Sequence, residues 1–190
     1  METTVDERYL VVEDAIRDAF FLLTLEKDAW HITVSDIVKR AGIVRSTFYN
    51  HYNDMPSLLE AMEDQTITEI SNLMKQFHPK ESREICYSFF FSLCNYTKNN
   101  KFLADIFRRP DASDFLEKSL HMFHKYAKEV LPKAAKGAKD TEQVSYAIAY
   151  SIGGVLGILH KWSIDEFDVA EDKIAEILSD IFLNGTSFFL

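Results

Sequence analysis

Glycine and proline are scarce in this chain, at six and four residues in 190. Runs of β-branched residues are scarce too. The usual breakers of helices are thus largely missing, and the class reads as all-α. Cysteine is limited to Cys86 and Cys94. They lie eight apart on one predicted helix, about 12 Å along its axis, which is too far for a disulfide. Both read as buried thiols of a reducing cytoplasm, and no basic residue flanks either one to activate it. No Walker loop, nucleotide-binding glycine motif, nucleophile elbow or paired-cysteine zinc pattern is present. An enzyme therefore has no residue constellation behind it, and no cofactor or metal is expected. The amino terminus is acidic and polar, so no secretory signal is expected.

Positive charge is the other shortage. The net charge is −9, and residues 1–55 hold six Lys and Arg against ten Asp and Glu, a net of −4. Residues 31–53 reverse this, with Lys39, Arg40 and Arg45 against Asp36, a net of +2. The distribution matters more than the total for steering toward a polyanion. With few cations to displace counterions, non-specific nucleic-acid binding should be weak.

What the chain has in quantity is apolar side chains: 47% of residues, with fifteen Phe and eight Tyr. Residues 6–27 form a first helix with Tyr9, Val12, Ile16, Ala19, Phe20 and Leu23 inward. The informative stretch is Thr33–Tyr52. Thr33 is a good N-cap and Asp36 stands three residues on, as in a capping box. Val34, Ile37, Val38 and Ala41 then recur at helical spacing. Gly42 follows where a helix end favours positive φ. A second short helix carries Phe48 and Tyr52 on one face, inward. Arg45, Ser46, Thr47, Tyr49, Asn50 and His51 are left outward, a set suited to base edges and phosphates. A plain surface helix pair is the competing reading of such a short match.

Thr-Val-x-Asp-Ile, then Ala-Gly-Ile, then Arg-Ser-Thr-Phe-Tyr-x-His-Tyr closely resembles the amino-terminal signature of the TetR family of bacterial repressors. The resemblance covers residues 10–60, and Gly-Gly-Val-Leu-Gly-x-x-x-x-Trp at 153–162 resembles a carboxy-terminal domain type of Gram-positive members. The resemblance implies a helix-turn-helix domain over 1–55 and a helical regulatory and dimerisation domain over 56–190. It implies that Ser35, Arg45, Ser46 and Thr47 meet base edges, and that Thr33, Tyr49 and His51 hold phosphates, with Asn50 on the same face. It implies a homodimer, a palindromic double-stranded operator, an unidentified small-molecule effector and a cytoplasmic protein outside any membrane. The sequence departs from the pattern at three places. Lys27-Asp28-Ala29-Trp30 replaces a helix-ending Gly, Met55 a phosphate-binding Lys, and Val44 a capping Ser. Those departures keep open a second reading, a small-molecule or protein-binding module of the same fold without specific DNA recognition.

Further along, Asp54 caps a fourth helix running to about residue 77, and His78-Pro79-Lys80 breaks the chain. Helices follow over 81–98 and 101–108, then one from Asp111 or Ser113 to Leu131. A basic connector spans 132–139. Residues 144–160 contain no charged side chain. A membrane span needs about 20 apolar residues. This run is shorter and holds Ser and three Gly, so it is better explained by a helix facing its own core and a twin subunit. With the last helix, 168–183, it supplies the expected dimer contacts Ile152, Gly153, Leu156, Gly157, His160, Ile174, Ile177, Leu178 and Ile181. His121 and His124 have a metal-compatible spacing but no further ligand motif. With Tyr87, Phe90, Phe91, Phe123, Tyr126, Tyr150 and Trp162 they are instead candidates to line a pocket for a planar or apolar ligand. For each aromatic alone, plain core is the simpler reading.

Overall fold

A computed structural model describes residues 5–76, 83–109, 113–134 and 141–186; beyond residues 1–6, side chains of 110–114, 126–145, 147–148 and 185–190 are also outside the description. The described residues form nine α-helices and no strand. They are α1 (Val5–Thr24), α2 (Val34–Ala41), α3 (Arg45–His51), α4 (Met55–Lys75), α5 (Arg83–Asn99), α6 (Lys101–Arg108), α7 (Ser113–Ala134), α8 (Thr141–Ile164) and α9 (Glu171–Thr186), with a 3₁₀ turn at Ala29–His31. The chain divides into two compact units, Met1–Gln65 and Thr66–Leu190, with the division inside α4.

The first unit closes around Ile16, Phe20, Ile37, Phe48, Leu58 and Met62, none of which reaches solvent. Burial of six such side chains contributes about 1.5–3 kcal/mol each, an upper estimate against an extended chain. Tyr9 does not join this core. It is 46% exposed, because the inward stripe of α1 begins in earnest only at Ile16. That helix also stops at Thr24, three residues short of the sequence expectation. Asp28 then caps the 3₁₀ turn by accepting from the Trp30 amide at 2.9 Å.

In the second unit α5 packs along α9, and α6 lies against α8. Every residue from Phe102 to Phe107 is buried, Asp105 included. That carboxylate is held by Lys101 at 3.0 Å and Arg108 at 3.5 Å. Asn100 caps the helix, its side chain accepting from the Leu103 amide. The end of α8 is pinned to α6. The Ser163 hydroxyl donates to Ala104 O at 3.0 Å, Arg108 Nε donates to Ser163 O at 3.1 Å, and His160 Nδ1 meets Phe107 O. The turn that follows holds Glu166 and Phe167 at φ of 57° and 59°. Non-glycine residues are strained there. The Trp162 indole offsets that strain, donating to Val169 O at 2.7 Å while its ring meets Phe167 edge-on at 4.8 Å. Helix α7 runs on through Ala134, so Pro132–Ala134 belong to it rather than to the connector. No helix of the described residues is long and apolar enough to cross a membrane.

Candidate nucleic-acid interface

The capping box at the start of α2 is present in both directions. The Asp36 amide donates to the Thr33 hydroxyl at 3.3 Å, and the Thr33 amide donates to Asp36 Oδ2 at 2.8 Å. Asp36 Oδ2 also accepts from the Thr33 hydroxyl and from Lys27 Nζ, each at 2.6 Å. Three donors on one carboxylate, Lys27 foremost, hold its pKa far below the ordinary value. The Thr33 hydroxyl hydrogen is thereby committed to Asp36, so a phosphate meeting Thr33 would compete with the cap.

Gly42 ends α2 at φ 67°, ψ 30°, the left-handed region that glycine enters at no steric cost. The Ile43 amide closes the corner onto Val38 O at 3.1 Å, as in a Schellman motif. Val44 then starts α3 without a side-chain cap, 66% exposed. Phe48 and Tyr52 point into the core. The Tyr52 hydroxyl takes a hydrogen bond from Arg17 Nε at 3.2 Å and donates to Glu13 Oε1 at 3.3 Å. Arg17 pairs with Glu13 as well. Burial raises the Tyr52 pKa, so the phenol stays neutral while it ties the end of α3 to α1.

Ser35, Arg45, Ser46, Tyr49 and Asn50 are exposed, whereas Thr47 and His51 are half-buried. Three of them meet. Arg45 Nη1 donates to Ser35 Oγ and Nη2 to the Tyr49 hydroxyl, both at 3.3 Å. The guanidinium also lies 5.8 Å from the centre of the Tyr49 ring. This joins a residue of α2 to two of α3 and holds one cation at the surface. Arg40, by contrast, is neutralised by Glu26. His51 stacks on Tyr9, with ring centroids 3.9 Å apart and planes 29° apart. Its Nδ1 is buried with no hydrogen-bond partner, which leaves Nε2 as the nitrogen able to meet an anion. Sequence reasoning missed this stack because it placed Tyr9 in the core. The only signal was Tyr9 at the very edge of the α1 stripe.

The expected pocket residues stand in different surroundings. Phe90 is buried edge-on against Phe182 at 5.7 Å, and Trp162 is committed to the turn after α8. Tyr87 stacks on Phe91 at 6.0 Å, and Phe91 is 38% exposed. Tyr150 is 72% exposed, so it lines no interior space of its own subunit. His121 is exposed, and Phe123 and His124 are half-buried. The Tyr126 side chain lies outside the described residues. Among those residues no cluster of three metal-type ligands exists.

The expected dimer residues separate into two groups. Ile152, Leu156, Ile174 and Leu178 are buried in their own subunit's core. Gly153, Gly157, His160, Ile177 and Ile181 face solvent. Tyr146, Tyr150 and Ile164 extend the open face of α8; of these, sequence reasoning named only Tyr150, and as a pocket residue. Residues 144–160 of α8 hold no Asp, Glu, Lys or Arg, and a stretch that is apolar all round carries no period from which to tell its two sides apart.

A capped helix-turn-helix followed by an all-helical unit defines the class: a helix-turn-helix transcriptional regulator. Residues 84–184, just over half of the chain, match the family model described as the transcriptional regulator C-terminal region of the TetR type. The chain belongs to the TetR family of transcriptional regulators. It is 37% identical over 70 residues to the uncharacterized HTH-type transcriptional regulator YxbF of Bacillus subtilis (strain 168). That match covers 36% of this chain and 18% of YxbF, so the chain spans under a fifth of that relative. Among solved structures it is similar to the dihydroxyacetone kinase operon activator DhaS, with a TM-score of 0.68 at 20% identity, covering 95% of this chain and 98% of that one. The fatty acid degradation regulator FadR from Bacillus halodurans gives a TM-score of 0.68 at 16% identity, covering 91% and 98%. Likeness at those identities concerns the fold.

Proposed function

We propose that the chain is a homodimeric repressor that binds a palindromic double-stranded operator through α3 and is released by a small apolar or aromatic ligand. The observation that carries DNA binding is the Ser35–Arg45–Tyr49 cluster, a held cation flanked by hydroxyl groups at the surface of a helix-turn-helix. Arg45 would take a guanine by two hydrogen bonds, discrimination worth about 1–3 kcal/mol. Ser35, Ser46 and Thr47 would meet base edges beside it, and Thr33, Tyr49 and His51 would hold phosphates, with Asn50 on the same face. The small number of cations leaves specificity to depend on two heads acting together, hence on a dimer and a palindrome.

The open apolar faces of α8 and α9 support the dimer, since monomers rarely leave so many large apolar side chains together in water. Ligand release rests on the family and on the aromatic content. A ligand acts only if it binds the DNA-competent and DNA-incompetent states with different affinity. A thermal-shift screen over apolar and aromatic compounds tests this part, and the absence of any stabilising compound counts against it. DhaS is described as an activator, so the sign of regulation is itself tested by transcription from a bound promoter with and without the protein.

The second reading is a binding module of the same fold that no longer recognises DNA. The uncapped Val44, Met55 and the net −4 of residues 1–55 favour it. Electrophoretic titration against salt separates the two. Sequence-specific affinity that falls steeply as salt rises supports the regulator, and its absence supports the module.

A further inference from the structure

His51 closes α3, and its ring lies against Tyr9 of α1, with centroids 3.9 Å apart and planes 29° apart. Aromatic pairs ordinarily stand about 4.5–7 Å apart, so these two rings are closely stacked. Tyr9 stands outside the core of the first unit, 46% exposed. A ring so placed does little for burial, and the residue it covers belongs to the outward face of α3.

Tyr9, Glu13 and Arg17 follow at four-residue steps and share one face of α1. Glu13 and Arg17 hold the Tyr52 hydroxyl, which fixes the backbone just past His51. An anchored backbone alone would leave the imidazole free to turn about its side-chain torsions. The stack removes that freedom before any ligand arrives, and so lowers the entropy lost on binding. The stacked ring has Nδ1 buried without a hydrogen-bond partner. A buried N–H with no acceptor is rare in folded proteins, so the hydrogen of the neutral ring belongs on Nε2. That tautomer is the one that donates to a phosphate oxygen.

We propose that Tyr9 is a positioning residue for DNA binding: stacked on His51, it shields Nδ1 from water and presents Nε2–H to a phosphate of the duplex. This rests on the DNA-binding reading above and adds to it a residue of α1. One face of α1 thus orders the end of α3 twice, through Tyr52 inside and through His51 at the surface.

Titration of the full chain with a duplex recovered from a random DNA pool tests the role, together with long-range nitrogen–proton NMR of the imidazoles at pH 8. Tyr9→Phe keeps the stack and is expected to bind as wild type does. Tyr9→Leu is expected to bind about fivefold more weakly per head. The loss should be equal across duplex sequences, because a phosphate carries no sequence information. In a His51→Ala background Tyr9→Leu should have no further effect. The spectrum should place the His51 hydrogen on Nε2 in wild type and Tyr9→Phe, and move toward a mixture of both tautomers in Tyr9→Leu. Weakened binding by Tyr9→Phe would overturn positioning in favour of a direct contact from the hydroxyl. A Tyr9→Leu loss that persists in the His51→Ala background would overturn the pairing, and a hydrogen on Nδ1 in wild type would overturn the tautomer. A pool that yields no bound duplex would overturn the DNA-binding reading and the phosphate contact with it, and the NMR result would then decide the stack alone.

Discussion

Arg45 Nη2 donates to the Tyr49 hydroxyl at 3.3 Å, one helical turn further along α3. Tyr49 thus acts on Arg45 before any DNA arrives. Pre-orienting a long cationic side chain lowers the entropy lost when it binds. Arg45→Ala should cost about 1–3 kcal/mol and relax one operator position. Tyr49→Phe should cost about 0.5–1.5 kcal/mol and relax that same position to a lesser degree. Competition between operators differing at that base pair measures both. A Tyr49→Phe loss that is equal across all sequences would instead assign Tyr49 to a phosphate.

Asp36 links α2 to Lys27 and to its own cap. Its pKa is lowered in the folded state, so its contribution is present above the ordinary value of 3.8 and is lost as pH falls below it. The side chain is 33% exposed, so water screens the Lys27 pair, and most of the contribution is the cap. Asp36→Asn should therefore lower stability by about 1 kcal/mol at pH 7. The gap between wild type and variant should narrow steadily below pH 4. Urea unfolding at pH 7 and pH 3 measures it, and an equal gap at both would contradict the assignment.

Local chemistry was the legible part of this chain. Thr33 and Asp36 announce a capping box, Gly42 a left-handed end, and Val44 an uncapped start, because each is decided by neighbours in sequence. The bounds of α6 were readable for the same reason, between Asn100 and Pro110. Tyr9 was misplaced because helical spacing extends a stripe past the point where the core ends. Ile152 and Leu156 were assigned to the partner rather than the core because residues 144–160 of α8 carry no Asp, Glu, Lys or Arg to mark its phase. The Tyr9–His51 stack and the Arg17–Tyr52 bond join residues over thirty apart, and no local signal encodes such pairs.

Val44 begins α3 with no hydrogen bond to cap it and with its side chain 66% exposed. Val44→Ser should add about 1 kcal/mol of stability. It should weaken operator binding if the valine methyls meet a thymine methyl. Thermal unfolding and operator titration of the one variant separate the two effects. A stabilised variant with wild-type affinity would show that Val44 makes no base contact.

Cys86 and Cys94 are buried, and burial raises their pKa to about 11 and about 12. Neither forms a thiolate near neutral pH, so neither is a redox sensor in the folded chain. A chromogenic disulfide reagent at pH 8 should leave both unlabelled in the native protein and label both in denaturant. Rapid labelling of the native protein would contradict this.

Selection of bound fragments from a random double-stranded DNA pool tests the central claim most directly. The expected product is a palindrome whose half-sites lie in successive major grooves, with a guanine that loses its preference in the Arg45→Ala protein. A pool that returns no enriched sequence at low salt would contradict the account and leave a helical binding module in its place.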